Sequence, residues 1–315
     1  MKRFRNILLY ANGADGGISA LRTATLLAER DSAAVTVVDV LPELPASMKS
    51  LQEIMPVAEV ESIAQEEVRI RLDDLIKSIQ GPNVKFETKV LVGKPFQEMI
   101  RQVLIQRHDL VIKTAERAGG LGNRNFGSTG QHLLRKCPCP VWIVKADSPS
   151  RAGCVLAAVD VSATEESEQR LNHNIVEMAA AQADQKSSEL HVVTSAALWM
   201  DSWLSFTDRE TNADLDRIAK ERAVEAQEHL NRLVASVVGD RRTKTHLLNG
   251  TPGATVPRLA TDIKADLLVL GTAGRTGLSG FFMGNTSEEI LERVDCAVLA
   301  LKPPGYDTPV RVRKA

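Results

Sequence analysis

Short apolar runs alternate with longer stretches of helical periodicity along the whole chain. In the first half, Asn6 to Ala11, Ala34 to Val40, Val84 to Val92, Asp109 to Lys113 and Val141 to Val144 read as strands. Between them, Gly17 to Glu29 carries Ile18, Leu21, Leu26 and Leu27 at near-helical spacing. Met55 to Ile79 places Val60, Ile63, Val68, Leu72, Leu75 and Ile79 along one side of a long helix. Phe96 to Gln106 and Thr129 to Arg135 complete the helices of this half. The second half repeats the pattern, with strands at Val155 to Val159, Leu190 to Thr194, Lys244 to Leu248, Leu267 to Leu270 and Val298 to Leu301. Alternation of this kind predicts an α/β fold with a parallel sheet covered by helices on both faces. Right-handed crossovers then favour a doubly wound arrangement.

The repetition extends to individual residues. Gly93 set against Gly250 gives an offset of 157 (250 less 93), which holds without a gap from there to Lys145 against Lys302. Within it fall Pro95 and Pro252, Asp109 and Asp266, Gly120 and Gly277, Gly127 and Gly284, Thr129 and Thr286, and Cys139 and Cys296. The two starts match more loosely, Asn6 to Asn12 against Cys154 to Asp160. The chain is therefore a tandem duplication, with domains expected over residues 1–147 and 153–305. The polar stretch from Asp147 to Gly153 has the character of a linker.

One stretch carries candidate chemistry. From Leu267 to Glu289 the chain reads LLVLGTAGRTGLSGFFMGNTSEE. A buried strand would empty into a loop holding Gly271 and Gly274, where the lack of a Cβ lets backbone N–H groups approach a ligand. Arg275 lies beside them. A second turn at Gly284 leads to Asn285, Thr286 and Ser287, any of which is suited to cap a helix beginning at Ser287. Free N–H groups, two hydroxyls and the helix dipole together make an anion site. In a doubly wound sheet, ligands sit beyond the carboxyl ends of the strands where the winding reverses, so Asp160, at the end of the second half's first strand, should share this crevice. Alone, it reads equally as a turn residue.

The spacing G-x2-G-x9-G followed by Asn-Thr resembles the nucleotide-binding signature of the universal stress protein family, with Gly271, Gly274 and Gly284 on its glycines. Asn285 stands where nucleotide-binding members usually carry serine or threonine, and its amide still donates to a phosphate oxygen. The resemblance covers nearly the entire chain and points to tandem-type members. It implies a five-stranded parallel sheet per domain in the order 3-2-1-4-5, and pairing of the two last strands into an intrachain pseudo-dimer. It also implies that Val159-Asp160 contacts the adenine, that Val192-Val193 walls the base, and that the glycine loop takes the phosphates of ATP, with or without magnesium. At the matching positions of the first half stand Asn12 for Asp160, Thr114 for Gly271 and Arg117 for Gly274. Gly127-Ser128-Thr129 survives, but side chains fill the space of the loop, and a degenerate first site is expected.

Composition narrows the alternatives. With 43% apolar and 25% charged residues and a net charge of −1 over 315 residues, the chain has the make-up of a soluble globular protein and lacks the basic excess of a nucleic-acid binder. No stretch approaches the roughly 20 apolar residues of a membrane helix, and a cytoplasmic location is expected. Cys137, Cys139, Cys154 and Cys296 make no disulfide framework. Cys137 and Cys139 with His132 lack the spacing of a zinc site, so no metal is assigned. There is no G-x-x-x-x-G-K-[S/T] and no G-x-G-x-x-G after a strand. Receiver-domain, SGGxDS and HxGH elements are absent as well.

Three functions remain. The favoured one is a stress-response module that senses ATP and offers its surface to partner proteins or a second copy of the chain. A slow ATP hydrolase would need a base, and His173 and His246 are not tied by spacing to the loop. A nucleotide-free protein would take an apolar ligand, for which Trp199, Met200, Trp203, Leu204 and Phe206 form a candidate lid.

Overall fold

The computed structural model describes residues 4–12, 17–44, 56–79, 83–115, 126–145, 153–183, 188–196, 209–272 and 284–312. The chain divides into two compact units, one holding the elements up to residue 145 together with residues 307–312, the other those from 153 to 306.

In the first unit, β1 (Asn6–Tyr10), α1 (Gly17–Asp31), β2 (Ala34–Leu41), α2 (Val57–Lys77), β3 (Lys85–Val92), α3 (Pro95–Gln106), β4 (Leu110–Thr114), α4 (Gly127–Lys136) and β5 (Val141–Val144) follow one another. The second contains β6 (Cys154–Ala158), α5 (Glu166–Ala183), β7 (Glu189–Ala196), α6 (Arg209–Val238), β8 (Lys244–Asn249), α7 (Pro252–Asp262), β9 (Leu267–Gly271), α8 (Asn285–Arg293) and β10 (Ala297–Leu301). The strands lie in the order β3-β2-β1-β4-β5 in the first unit and β8-β7-β6-β9-β10 in the second. The strand pairs within each unit are parallel. Both units thus have the doubly wound order 3-2-1-4-5, and the winding reverses at β1/β4 and at β6/β9.

The strand sequences explain the burial. The central strands are mostly apolar because helices cover both faces, and Ile7, Leu8, Leu9, Val155, Leu156, Leu268 and Val269 are all fully enclosed. At the edge, β3 alternates exposed Lys85 and Glu87 with half-buried Phe86 and Thr88. The helical faces are narrower than their periodicity suggested. Val68, Leu72 and Leu75 of α2 are buried, whereas Ile63, and Ile18 of α1, face solvent at 49% and 40% exposure.

The duplication is also visible in the polar contacts that align the strand starts. Asp109 accepts hydrogen bonds from the backbone N–H groups of Arg5 (2.7 Å) and Asn6 (3.0 Å). Its counterpart Asp266 accepts from Gly153 (2.8 Å) and Cys154 (2.9 Å). In each unit a half-buried carboxylate ahead of the fourth strand therefore satisfies the amides at the entrance to the first. Hydrogen bonds to a charged acceptor contribute more than neutral ones. Asp266→Ala is expected to lower the stability of the chain by about 1–3 kcal/mol, read as a drop in the urea midpoint. Asp109→Ala should do the same to the first unit.

Candidate functional site

Of the residues singled out from sequence, Val159, Asp160 and Gly271 lie where β6 and β9 leave the sheet side by side. Ala158 is in register with Leu270, so the next residues of the two strands, Val159 and Gly271, emerge as neighbours. Val159 is buried and donates its N–H to the carbonyl of Val193 at 2.9 Å. Val193 is itself fully enclosed, and β7 continues past it to Ala196. Asp160 is exposed and lies in a turn. Its Oδ1 accepts from Ser162 N (3.1 Å) and Ser162 Oγ (2.6 Å), while Asn172 of α5 brackets its backbone, accepting from Asp160 N and donating to Asp160 O. The turn role of this aspartate is thus built into the fold, its carboxylate engaged by Ser162.

Gly271 has two structural duties. A Cβ placed there would lie 2.7 Å from Leu171 Cδ2 and 3.5 Å from Ile175 Cδ1, so the absent side chain lets α5 close onto the strand end. Its carbonyl accepts a 2.8 Å hydrogen bond from Ser287 Oγ, which fastens the first turn of α8 to β9. The following residue, Thr272, is fully buried and donates its N–H to the Leu301 carbonyl at 3.0 Å. Lys302 returns its ammonium to the Thr272 carbonyl at 3.3 Å.

The helix start differs from the sequence reading in two respects. The helix begins at Asn285, two residues before Ser287, and Gly284 is its N-cap in extended conformation, φ −63° and ψ 140°. The N-cap position therefore falls to Gly284, which has no side chain, and not to Asn285, Thr286 or Ser287. Proximity explains the change: the Ser287 hydroxyl is buried against the strand and serves Gly271, while Asn285 and Thr286 point outward and are exposed. Among the described residues, the first-turn amides, at the positive pole of the helix dipole, therefore meet no side chain at the N-cap. Gly274 and Arg275 lie outside the described residues, as do the aromatic candidates from Trp199 to Phe206 and residues 147–152 of the linker.

The first unit has a different interior at the same place. Thr114 occupies the position of Gly271, and Gly130 that of Ser287, so the hydroxyl-to-carbonyl tie is not reproduced. Lys113, opposite Leu270 in the duplication, is completely buried and donates from Nζ to the carbonyl of Phe126, the N-cap of α4, at 3.2 Å. Gly130 packs over this pair: a Cβ there would lie 3.2 Å from Phe126 Cβ and in ordinary contact, 3.6 Å, with the ammonium. Sequence reasoning passed over this lysine because it sits in a run of strand-forming residues.

The other candidates are engaged elsewhere. His173 is exposed on α5, and His246 hydrogen-bonds through Nε2 to His191 Nδ1 at 3.0 Å. Burial, with the neighbouring His191 and Lys244, holds His246 below the usual histidine range. Cys137 and Cys139 approach to 3.6 Å between sulfurs. That contact and burial push the Cys139 thiol well above its usual range. His132 stacks on Phe96 at 4.2 Å.

A doubly wound sheet, duplicated, with an uncapped helix start at the switch point of its second copy, defines a class that comparison with known proteins names. The model of the universal stress protein family matches residues 3–145 and 155–302. The chain belongs to that family, in its tandem two-domain form, and has the family's role in stress response.

Among characterised relatives it is similar to Universal stress protein E of Photorhabdus laumondii, 26% identical over 318 residues that span all of both chains. It is also similar to Universal stress protein E of Escherichia coli K12, 34% identical over 233 residues, 73% of this chain and 72% of the relative. Two solved structures share the fold. A functionally unknown protein from Pseudomonas aeruginosa PAO1 matches with a TM-score of 0.69 and 24% identity, over 95% of this chain and 93% of that one. A universal stress protein from Archaeoglobus fulgidus matches with a TM-score of 0.59 and 17% identity, over 94% and 98%.

The close approach at Gly271 is directly testable. Gly271→Val must displace Leu171 and Ile175 from the strand end, and overpacking of this kind costs about 1–3 kcal/mol. A denaturation midpoint unchanged from the wild type would show that α5 does not depend on the missing side chain.

Proposed function

We propose that the second unit holds one adenine nucleotide, ATP with or without magnesium, and that its occupancy changes the surface the chain offers to partner proteins or to a second copy of itself. The observation that carries this reading is the helix start at Asn285, Thr286 and Ser287. Among the described residues no side chain stands at its N-cap, and its backbone donors lie by the carboxyl end of β9, next to which Val159 and Asp160 leave β6. Such a helix end favours a phosphate, and an aspartate at the mouth is placed to accept from an adenine amino group or a ribose hydroxyl. Gly274 and Arg275 complete the phosphate side on the strength of their spacing, and Val193 backs the base side. Helix α4 of the first unit also lacks a side-chain cap, but Thr114 and Arg117 replace the two loop glycines there, so one nucleotide per chain follows.

Two further readings accompany it. The last strands, Val141-Trp142-Ile143-Val144 and Val298-Leu299-Ala300-Leu301, are short apolar edges of the kind that pair to avoid aggregation, and their mutual pairing would give an intrachain pseudo-dimer. All four cysteines are free, which suits the reducing cytoplasm. No helix among the described residues is long and apolar enough to cross a membrane.

Calorimetry with the intact chain should show ATP binding near one per chain. Gly274→Arg, which copies Arg117 of the first unit into the second, is expected to weaken binding at least tenfold, about 1.4 kcal/mol or more. Phosphate release in the same solution would make the protein a hydrolase. Absence of heat at millimolar ATP would overturn the nucleotide reading and turn attention to an apolar ligand at Trp199 to Phe206.

A further inference from the structure

At the opposite ends of the same strands, away from the helix start, the second unit gathers a different set of side chains. Cys154 and Glu189 are the first residues of β6 and β7 and lie side by side in register. His191, two residues along β7, is on the same face as Glu189. Cys154 Sγ, a Glu189 carboxylate oxygen and a His191 ring nitrogen all lie within 4.8 Å of one another. Cys154 and His191 are buried, at 9% and 3% exposure, whereas Glu189 opens to solvent and leaves an approach from outside.

From this cluster we infer a site for a divalent transition ion, zinc by its donor chemistry, held by Cys154 Sγ, His191 Nε2 and a Glu189 oxygen. A sulfur, an imidazole and a carboxylate are the ligand types zinc accepts, and a tetrahedral zinc ion spaces such donors by roughly 3.5 Å. His191 Nε2 and Glu189 Oε2 are already 3.1 Å apart, so an ion takes the place of the Nε2 proton between them, the ring proton moving to Nδ1 by exchange with solvent, and draws the sulfur in.

The surrounding contacts suit the same role. A ligating imidazole needs its second nitrogen occupied, and His191 Nδ1 meets His246 Nε2 at 3.0 Å, with the two rings stacked at 5.1 Å between centroids. Donation from His191 Nδ1–H to His246 leaves the Nε2 lone pair directed at the ion, a familiar arrangement of outer contacts at metal centres. Binding forms one bond each from sulfur, nitrogen and oxygen, and the thiol proton of Cys154 passes to solvent. The fourth position is left for water. Lys244 opposes the ion: its ammonium lies 2.9 Å from Glu189 Oε2 and competes for the carboxylate.

Cobalt(II) added to the intact, reduced protein tests the site, because a thiolate bound to cobalt gives a charge-transfer absorption. One equivalent should produce the band, and zinc should abolish it. Cys154→Ser should lose the band, while Cys139→Ser, which removes a sulfur elsewhere, should keep it. His246→Ala, which removes only the outer partner, should weaken cobalt binding about 10–100-fold, and Lys244→Gln should tighten it. If Cys154→Ser does not fold by circular dichroism, Glu189→Gln, altered at an exposed side chain, carries the test through loss of affinity. A band that persists without Cys154, an affinity indifferent to Glu189, or no band in the intact chain overturns the proposal.

Discussion

A hydroxyl on the first turn of a helix holds the end of a buried strand, and the candidate site depends on that tie. Ser287 Oγ reaches the Gly271 carbonyl at 2.8 Å. It satisfies an acceptor that leaves the sheet ladder at the end of β9, and it fixes the direction in which α8 starts. Ser287 is spent on the strand and Gly284 at the N-cap has no side chain, so among the described residues no hydroxyl or amide side chain stands at the N-cap. Gly271 makes the same geometry possible from the other side, since any Cβ there would collide with Leu171 of α5. Strand end, covering helix and helix start are thus mutually fixed by one small residue and one hydroxyl.

The duplication shows what happens when these two residues change. The first unit keeps the strand order and the carboxylate that aligns its strand starts, as Asp109 and Asp266 perform the same task. At the helix start it diverges. Thr114 and Gly130 exchange the small and the hydroxyl-bearing positions, and the ammonium of Lys113 is buried beneath α4 against the Phe126 carbonyl. A buried cation must be compensated by acceptors, which makes this interior specific and committed. Fold and site have separated: the sheet is retained in both copies, and the tie from a helix hydroxyl to the strand end belongs to the second.

The fold was legible because its signals are redundant. Apolar runs, their spacing and the 157-residue offset each predicted the same alternation, and element bounds moved by only one or two residues. The site was legible in part. Glycine spacing located the end of β9 and Gly284 at the start of α8, but it could not show that Gly271 is also required by Leu171, a residue 100 positions away in sequence. Nor could it show that none of the three polar residues would cap α8, since Gly284 takes the N-cap position and Ser287 turns to a strand carbonyl, outcomes set by distance rather than by residue type. The Cys154, Glu189 and His191 cluster has no linear motif at all. It arises from the register of β6 with β7, and His246 joins it from a third strand.

The central claim is that the second unit's helix start, and not the first's, receives phosphate. Amide chemical shifts of the isotopically labelled chain, followed as ATP is added, test it residue by residue. The account predicts large, saturable shifts for the N–H groups of Asn285, Thr286 and Ser287, with those of Ser128 and Thr129 in α4 left in place. Equal shifts at both helix starts, or movement only at residues remote from both, would contradict it.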